Sequence, residues 1–99
     1  MEPECILAID LGTSGPKVAL VTTEGEVLAS EVESTELFLS EGGGAEQDPD
    51  DWWRAIVTAT RRITDRELVP TERIIAVAVT SQWAGTVPVD EAGTAISRA

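Results

Sequence analysis

The 99-residue sequence contains no histidine, which excludes imidazole acid–base catalysis and zinc sites with histidine ligands. Its one cysteine cannot form an intramolecular disulfide bond, which favours a reducing compartment, and we expect a cytoplasmic protein. Only 7 Lys and Arg residues accompany 18 Asp and Glu residues. The formal net charge of −11 argues against nucleic acid or an anionic membrane as a partner. No apolar run approaches membrane-spanning length, and the acidic N-terminus lacks the basic start of a signal peptide.

What is present is typical of one small globular domain with a modest core, since 42% of the residues are hydrophobic and 25% are charged. Near the start, two apolar runs, Cys5–Ile9 and Lys17–Val21, enclose a turn built from Gly, Thr, Ser and Pro. This pattern predicts an antiparallel pair of strands, here called the first hairpin. Asp10 is expected at the end of the first, buried strand.

The first hairpin carries groups that suit a phosphate and a metal ion. The Asp10 carboxylate could hold Mg²⁺, which prefers few protein oxygens together with phosphate. Gly12 and Gly15 would leave room for a phosphate and present free N–H groups. Further donors and a positive charge are offered by Thr13, Ser14 and Lys17. Gly-Lys-Ser/Thr is absent, so this is not a Walker loop, and an ordinary turn of the same composition stays open as the alternative.

The middle of the chain predicts a third strand, Val27–Glu33, a flexible loop, Leu37–Gln47, and then a helix. The helix should begin with Asp48 as the N-cap residue and Pro49 in the first helical position. Its predicted buried stripe consists of Trp52, Ile56, Ala59 and Ile63. Trp52 is expected in the core, with Trp53 reaching towards the preceding loop.

The last third begins with Ile74–Thr80, whose β-branched residues predict a buried strand parallel to the first. The segment Gln82–Gly85, here called the Gln82 loop, follows that strand. Parallel neighbours open at the same edge of a sheet, so we expect this loop and Asp10 at one end. Residues 86–96 should form a terminal hairpin, and Pro88, which cannot donate to a central ladder, makes it an edge strand or a covering hairpin.

Four segments of the sequence resemble consecutive N-terminal segments of FGGY-family carbohydrate kinases, most closely the xylulokinase-like members. They are Ile9–Ser14, Glu46–Trp53, Ser81–Gly85 and Val89–Gly93. The resemblance implies an α/β fold of the ribonuclease H-like class, the actin-like ATPase superfold. Residues 1–99 would be the N-terminal portion of the first of two domains, an incomplete first half. It would contain antiparallel hairpin strands, one main helix, a parallel strand and a terminal hairpin.

The resemblance also implies ATP-dependent transfer of the γ-phosphoryl group to a carbohydrate hydroxyl, with a pentulose such as xylulose as a possible substrate. Asp10 matches a magnesium-associated aspartate of the family, and Thr13 and Lys17 match its phosphate-contacting positions. Gly12 and Ser14, in the same turn, complete the candidate cofactor-binding residues. The positions matching a sugar-contacting loop are Gln82, Trp83, Ala84 and Gly85. Xylulokinases usually have Met-His where this chain has Trp83-Ala84, which leaves the sugar open. The general base would lie beyond Ala99.

This reading implies sugar, ATP and Mg²⁺ as ligands and predicts that the 99-residue chain alone is inactive. A homodimer through the exposed edge of the sheet is a further expectation, since Ile74–Val79 has a predicted partner on one side only and would leave an unpaired apolar edge. Two alternatives remain open at this point. One is another actin-like ATPase or kinase, and the other is a non-catalytic α/β interaction module.

Overall fold

The computed structural model describes residues 2–99, in which a four-stranded sheet packs against one long helix. The sheet strands are β1 (Cys5–Gly12), β2 (Gly15–Thr22), β3 (Val27–Val32) and β6 (Ile74–Ser81). A separate pair consists of β4 (Phe38–Leu39) and β5 (Ala45–Glu46), and the helix α1 spans Pro49–Thr64. A single 3₁₀ turn, Thr71–Arg73, precedes β6. Among the residues described, no helix combines the length and the apolar character needed to cross a membrane.

The strand order β3-β2-β1-β6 confirms the predicted topology. β1 is antiparallel to β2 and parallel to β6, with β6 reached only after the helix. Thr80 of β6 is the register partner of Asp10, and Ser81 is the partner of Leu11. The carboxyl ends of β1 and β6 therefore lie at the same edge of the sheet, as the sequence predicts.

The start of α1 also follows the prediction. An Asp48 side-chain oxygen accepts a hydrogen bond from the backbone N–H of Asp50 at 2.9 Å, and Pro49 occupies the first turn. On the exposed side of the helix, Arg54 donates to Asp51, and this hydrogen bond raises the pKa of the arginine. Local capping chemistry thus fixes where the helix begins.

The buried face of α1 differs from the predicted stripe. Ala55, Ala59 and Ile63 are buried, while Ile56 is only half-buried. Trp52 is also half-buried, so its expected place in the core is wrong. Its indole Nε1–H needs a polar partner and finds one in Gln47. The helix lies over β2 and β3, and the core is formed by Cys5, Leu7, Ile9, Val18, Leu20, Ala29, Ala59 and Ile63.

The predicted burial of the strand Ile74–Thr80 is wrong in this structure. β6 lies at one edge of the sheet, whereas α1 packs on β2 and β3, towards the other edge. Ile75, Val77 and Val79 are consequently 54%, 60% and 65% exposed. The apolar pattern correctly predicts a strand, but burial requires a covering layer that residues 2–99 do not supply.

Two further segments differ from the prediction. The loop Leu37–Gln47 contains the short antiparallel pair β4–β5, joined by a turn in which Gly42 and Gly43 have positive φ. The expected terminal hairpin is reduced to one isolated bridge, between Val89 and Ala95. Its turn is held instead by Asp90, whose side chain accepts hydrogen bonds from two nearby backbone N–H groups.

Candidate functional site

Asp10 lies within β1 rather than after it, because the strand continues to Gly12. The residue is exposed, with Lys17 as its partner on β2 and Thr80 as its partner on β6. Directly paired residues project from the same face of a sheet, so a carboxylate, an ammonium group and a hydroxyl stand side by side. A shallow hollow of about 280 Å³ runs along this face, and its small floor residues include Ala8, Ala19 and Ala78.

The turn of the first hairpin is tight, since Gly12 pairs directly with Gly15 and only Thr13 and Ser14 lie between them. Both side chains of the turn are exposed, so their hydroxyl groups are accessible. Its backbone is held from outside the hairpin. Thr35 N–H donates to Ser14 O at 3.2 Å, and Gln47 Nε2–H donates to Thr13 O at 2.7 Å. The turn is therefore a fixed platform that presents two hydroxyl groups.

Gly15 serves a different purpose from the predicted one. It is buried and has a φ of 137°, a region that favours glycine. A Cβ atom here would collide with the carbonyl oxygen of Glu33. The space made by this glycine is thus filled by the chain after β3 rather than left for a phosphate. At Gly12 a Cβ atom would meet only Gly15 O, at 3.6 Å.

The Gln82 loop begins where β6 ends. Gln82 N–H donates to Leu11 O at 2.9 Å, which joins the loop to the carboxyl end of β1. Trp83 is fully exposed, and Ala84 and Gly85 are also exposed. A second hollow, of about 160 Å³, lies beside the loop and is lined by Thr13, Gln47, Trp52, Gln82, Ala84 and Gly85, among others. The structure thus brings the turn and the loop together at one hollow, with Asp10 and Lys17 on the neighbouring strand face.

Gln47 is a residue of the site for which the sequence predicts no role. It is only 5% exposed, and its Oε1 accepts from Trp52 Nε1–H at 3.1 Å and from Gln82 Nε2–H at 3.0 Å. The sequence pattern predicts only the end of a flexible loop here, although Gln47 immediately precedes the helix N-cap. The sequence predicts no role for Thr80 either, and only the register of β6 against β1 shows that it is next to Asp10.

The donor set suits a magnesium ion that arrives with a nucleotide. Within residues 2–99, no group of three or more His, Cys, Asp or Glu side chains could hold an ion by itself. Asp10 provides a single exposed carboxylate next to an open hollow. Mg²⁺ is commonly held by one or two carboxylates together with substrate phosphates and waters. The residues present therefore fit a shared ion and do not form an independent metal centre.

The N-terminal domain of the FGGY family of carbohydrate kinases matches residues 5–99. The chain belongs to this family. The chain is 35% identical to the xylulose kinase of Escherichia coli over 72 residues, which are 73% of this chain and 15% of the relative. It is 37% identical to the glycerol kinase of Gluconobacter oxydans over 97 residues, which are 97% of this chain and 19% of that relative.

The fold of this FGGY-family chain is also that of solved sugar kinases. The structure of xylulose kinase from Rhodospirillum rubrum superposes with a TM-score of 0.84 at 23% identity, covering 95% of this chain and 20% of the other. The predicted actin-like, ribonuclease H-like class is therefore confirmed as a partial first half. The chain spans about a fifth or less of the length of these relatives.

Proposed function

We propose that this chain is the N-terminal portion of an ATP-dependent kinase that transfers the γ-phosphoryl group to a sugar or polyol hydroxyl. The observation that supports this best is the convergence of the first hairpin and the Gln82 loop at one end of the sheet. Phosphoryl transfer depends mainly on positioning and charge neutralisation. Residues 1–99 would supply part of both within the first domain of a longer protein.

On the phosphate side, the exposed turn would donate hydrogen bonds from Thr13 and Ser14, and Gly12 would allow close approach. Lys17 would place a positive charge beside Asp10. Asp10 would hold the Mg²⁺ that accompanies the nucleotide, and this ion would neutralise phosphate charge when it is bound. This proposal is supported by the hydrogen bonds to Thr13 O and Ser14 O, which hold the backbone of the turn in place.

On the sugar side, the Gln82 loop would form part of the wall around the acceptor hydroxyl. Gln82 offers an amide, and Trp83 offers a fully exposed aromatic face on which an apolar sugar face can pack. A pentulose such as xylulose is the substrate we propose first. The relatives include a glycerol kinase, and Trp83-Ala84 differs from the usual Met-His of xylulokinases, so a smaller polyol is the second candidate.

The same proposal includes an expected association of the 99-residue chain and an expected compartment. The unpaired edge of β6 would support a homodimer of the 99-residue chain, since three of its apolar side chains are more than half exposed. The free, buried thiol of Cys5 suits a reducing compartment, and we place the protein in the cytoplasm.

The test is a coupled assay of ADP release with a panel of pentoses, ketoses and polyols. A protein that continues this chain to the length of its relatives should show sugar-dependent turnover, and residues 1–99 alone should show none. Asp10→Ala should lower turnover about 10²- to 10³-fold, the usual cost of removing one electrostatic contact to the transition state.

Asp65→Ala is the matched control, since Asp65 is an exposed carboxylate after α1 and should leave turnover unchanged. A longer protein that is inert towards the whole panel would refute the kinase proposal. Sugar-dependent turnover by the 99-residue chain would show that the proposed division of the site is wrong.

A further inference from the structure

Gln47 is itself buried and is held at the centre of a partly buried hydrogen-bond network. Its backbone N–H donates to Ala99 O at 3.1 Å, and its carbonyl accepts from Ala99 N–H at 2.9 Å. The next residue, Asp48, caps α1. The side chain therefore extends from a backbone that is fixed on both sides, and it is almost completely removed from water.

The partners of Gln47 determine the orientation of its amide group. The indole Nε1–H of Trp52 can only donate, and the carbonyl oxygen of Thr13 can only accept. Gln47 must therefore place Oε1 towards Trp52 and Nε2 towards Thr13. Gln82 also contacts Oε1 of Gln47, so it must present its own Nε2–H to that oxygen. The Oε1 of Gln82 is therefore turned away from Gln47.

We propose that Gln47 is a positioning residue that connects the Gln82 loop to the turn of the first hairpin, so that sugar and nucleotide bind cooperatively. This inference rests on the proposed kinase function. One amide group bridges a residue of the sugar side, Gln82, and a residue of the phosphate side, Thr13. A ligand that shifts either side must stretch or reorient the shared group, which is only 5% exposed, and hydrogen bonds that share one amide polarise one another.

The experiment measures thermodynamic coupling in the full-length protein. The dissociation constant of the best sugar of the panel is determined with and without a non-hydrolysable ATP analogue and Mg²⁺. In the wild type, the nucleotide should tighten sugar binding at least about fivefold, the lower end of common coupling strengths. Gln47→Met removes all three side-chain hydrogen bonds. It should bring the coupling ratio, the sugar dissociation constant without nucleotide divided by that with nucleotide, close to one.

Two other variants separate coupling from simple loss of stability. Gln47→Glu keeps the acceptor for Trp52 and Gln82 but loses the donor to Thr13, and it should also abolish the coupling. Trp52→Phe removes one partner of Gln47 while leaving both bridging bonds, so its ratio should remain that of the wild type. A wild-type ratio near one, or a wild-type ratio retained in either Gln47 variant, would overturn the proposal.

An additional measurement does not depend on kinase activity. In the unliganded full-length protein, Gln47→Met should accelerate amide hydrogen exchange in the turn of the first hairpin and in the Gln82 loop together. The expected acceleration is about fivefold, which corresponds to one hydrogen bond. Exchange that accelerates in one of the two segments only, or in neither, would contradict the bridge even if no sugar of the panel is phosphorylated.

Discussion

Gly15 is the residue at which the first hairpin depends most directly on the absence of a side chain. Gly15→Ala introduces a Cβ atom against Glu33 O and also places alanine at a φ of 137°. Gly25→Ala is the matched control, because Gly25 has a φ of 95° but no atom within 4 Å of an added Cβ. The control should cost about 1–2 kcal/mol through its dihedral angle alone.

We expect Gly15→Ala to lower the free energy of unfolding by about 1–3 kcal/mol more than Gly25→Ala, which is the usual cost of overpacking. Urea unfolding of both variants would measure the difference. Equal losses would mean that the chain after β3 moves away from Gly15 without cost.

Trp83 is the residue at which the choice of sugar should be most easily changed. Trp83→Met should alter the relative kcat/KM values across the sugar panel, because it replaces the exposed aromatic face of the Gln82 loop. Stability should change by less than about 0.5 kcal/mol, as is usual at exposed positions. Trp53→Met is the control, since Trp53 is 67% exposed and lies outside that loop. An unchanged order of sugars in the Trp83 variant would remove Trp83 from the proposed sugar site.

At the scale of the element, the N-cap of α1 gives a prediction about stability. Asp48→Ala removes the side-chain oxygen that accepts from Asp50 N–H, and it should cost about 0.5–2 kcal/mol. Asp50→Ala removes a carboxylate of the first turn without removing the cap, so about 0.3–1 kcal/mol is expected. Thermal unfolding of the two variants checks this order. A larger loss for Asp50→Ala would show that helix electrostatics dominates over the cap.

Ion pairs at the C-terminal end of α1 indicate how the helix is oriented on the sheet. Arg62 of the helix meets Glu33, directly after β3, at 2.6 Å. Arg66, two residues beyond the end of the helix, meets Glu31 of β3 at 3.3 Å. All four side chains are at least a quarter exposed, so the pairs contribute little to the free energy of unfolding. The buried alanines of the helix do more, because small side chains allow it to lie close to β2 and β3.

At the scale of the whole molecule, β6 presents an unpaired and largely apolar edge. We expect the 99-residue chain to dimerise at high concentration, since unpaired strand edges associate readily. Val77→Lys should shift the chain towards the monomer in size-exclusion chromatography with light scattering. Val32→Lys on β3, where the side chain is 56% exposed, is the matched control and should leave the dimer intact. A wild-type chain that remains monomeric would contradict the expected association.

Much of the fold follows from local chemistry and could be predicted from the sequence. The two runs around the first turn predict an antiparallel pair, Asp48 and Pro49 predict the start of α1, and Ile74–Thr80 predicts a strand parallel to β1. The first two features depend on residues that are neighbours in the sequence, whereas the parallel pairing follows from the helix that connects the two strands, and the structure contains all three. The placement of Asp10 and the Gln82 loop at one end of the sheet follows from the same topology.

Burial and long-range hydrogen bonding were decided only by the tertiary structure. The apolar composition of β6 cannot reveal that α1 covers β2 and β3 instead, and the amide of Gln47 finds Thr13 and Gln82 at separations of 34 and 35 residues. Gly15 likewise appears as a turn glycine until the segment after β3 is placed against it. In each case the deciding contact joins distant parts of the chain. Its energy therefore depends on where the elements pack, which local residue patterns do not specify.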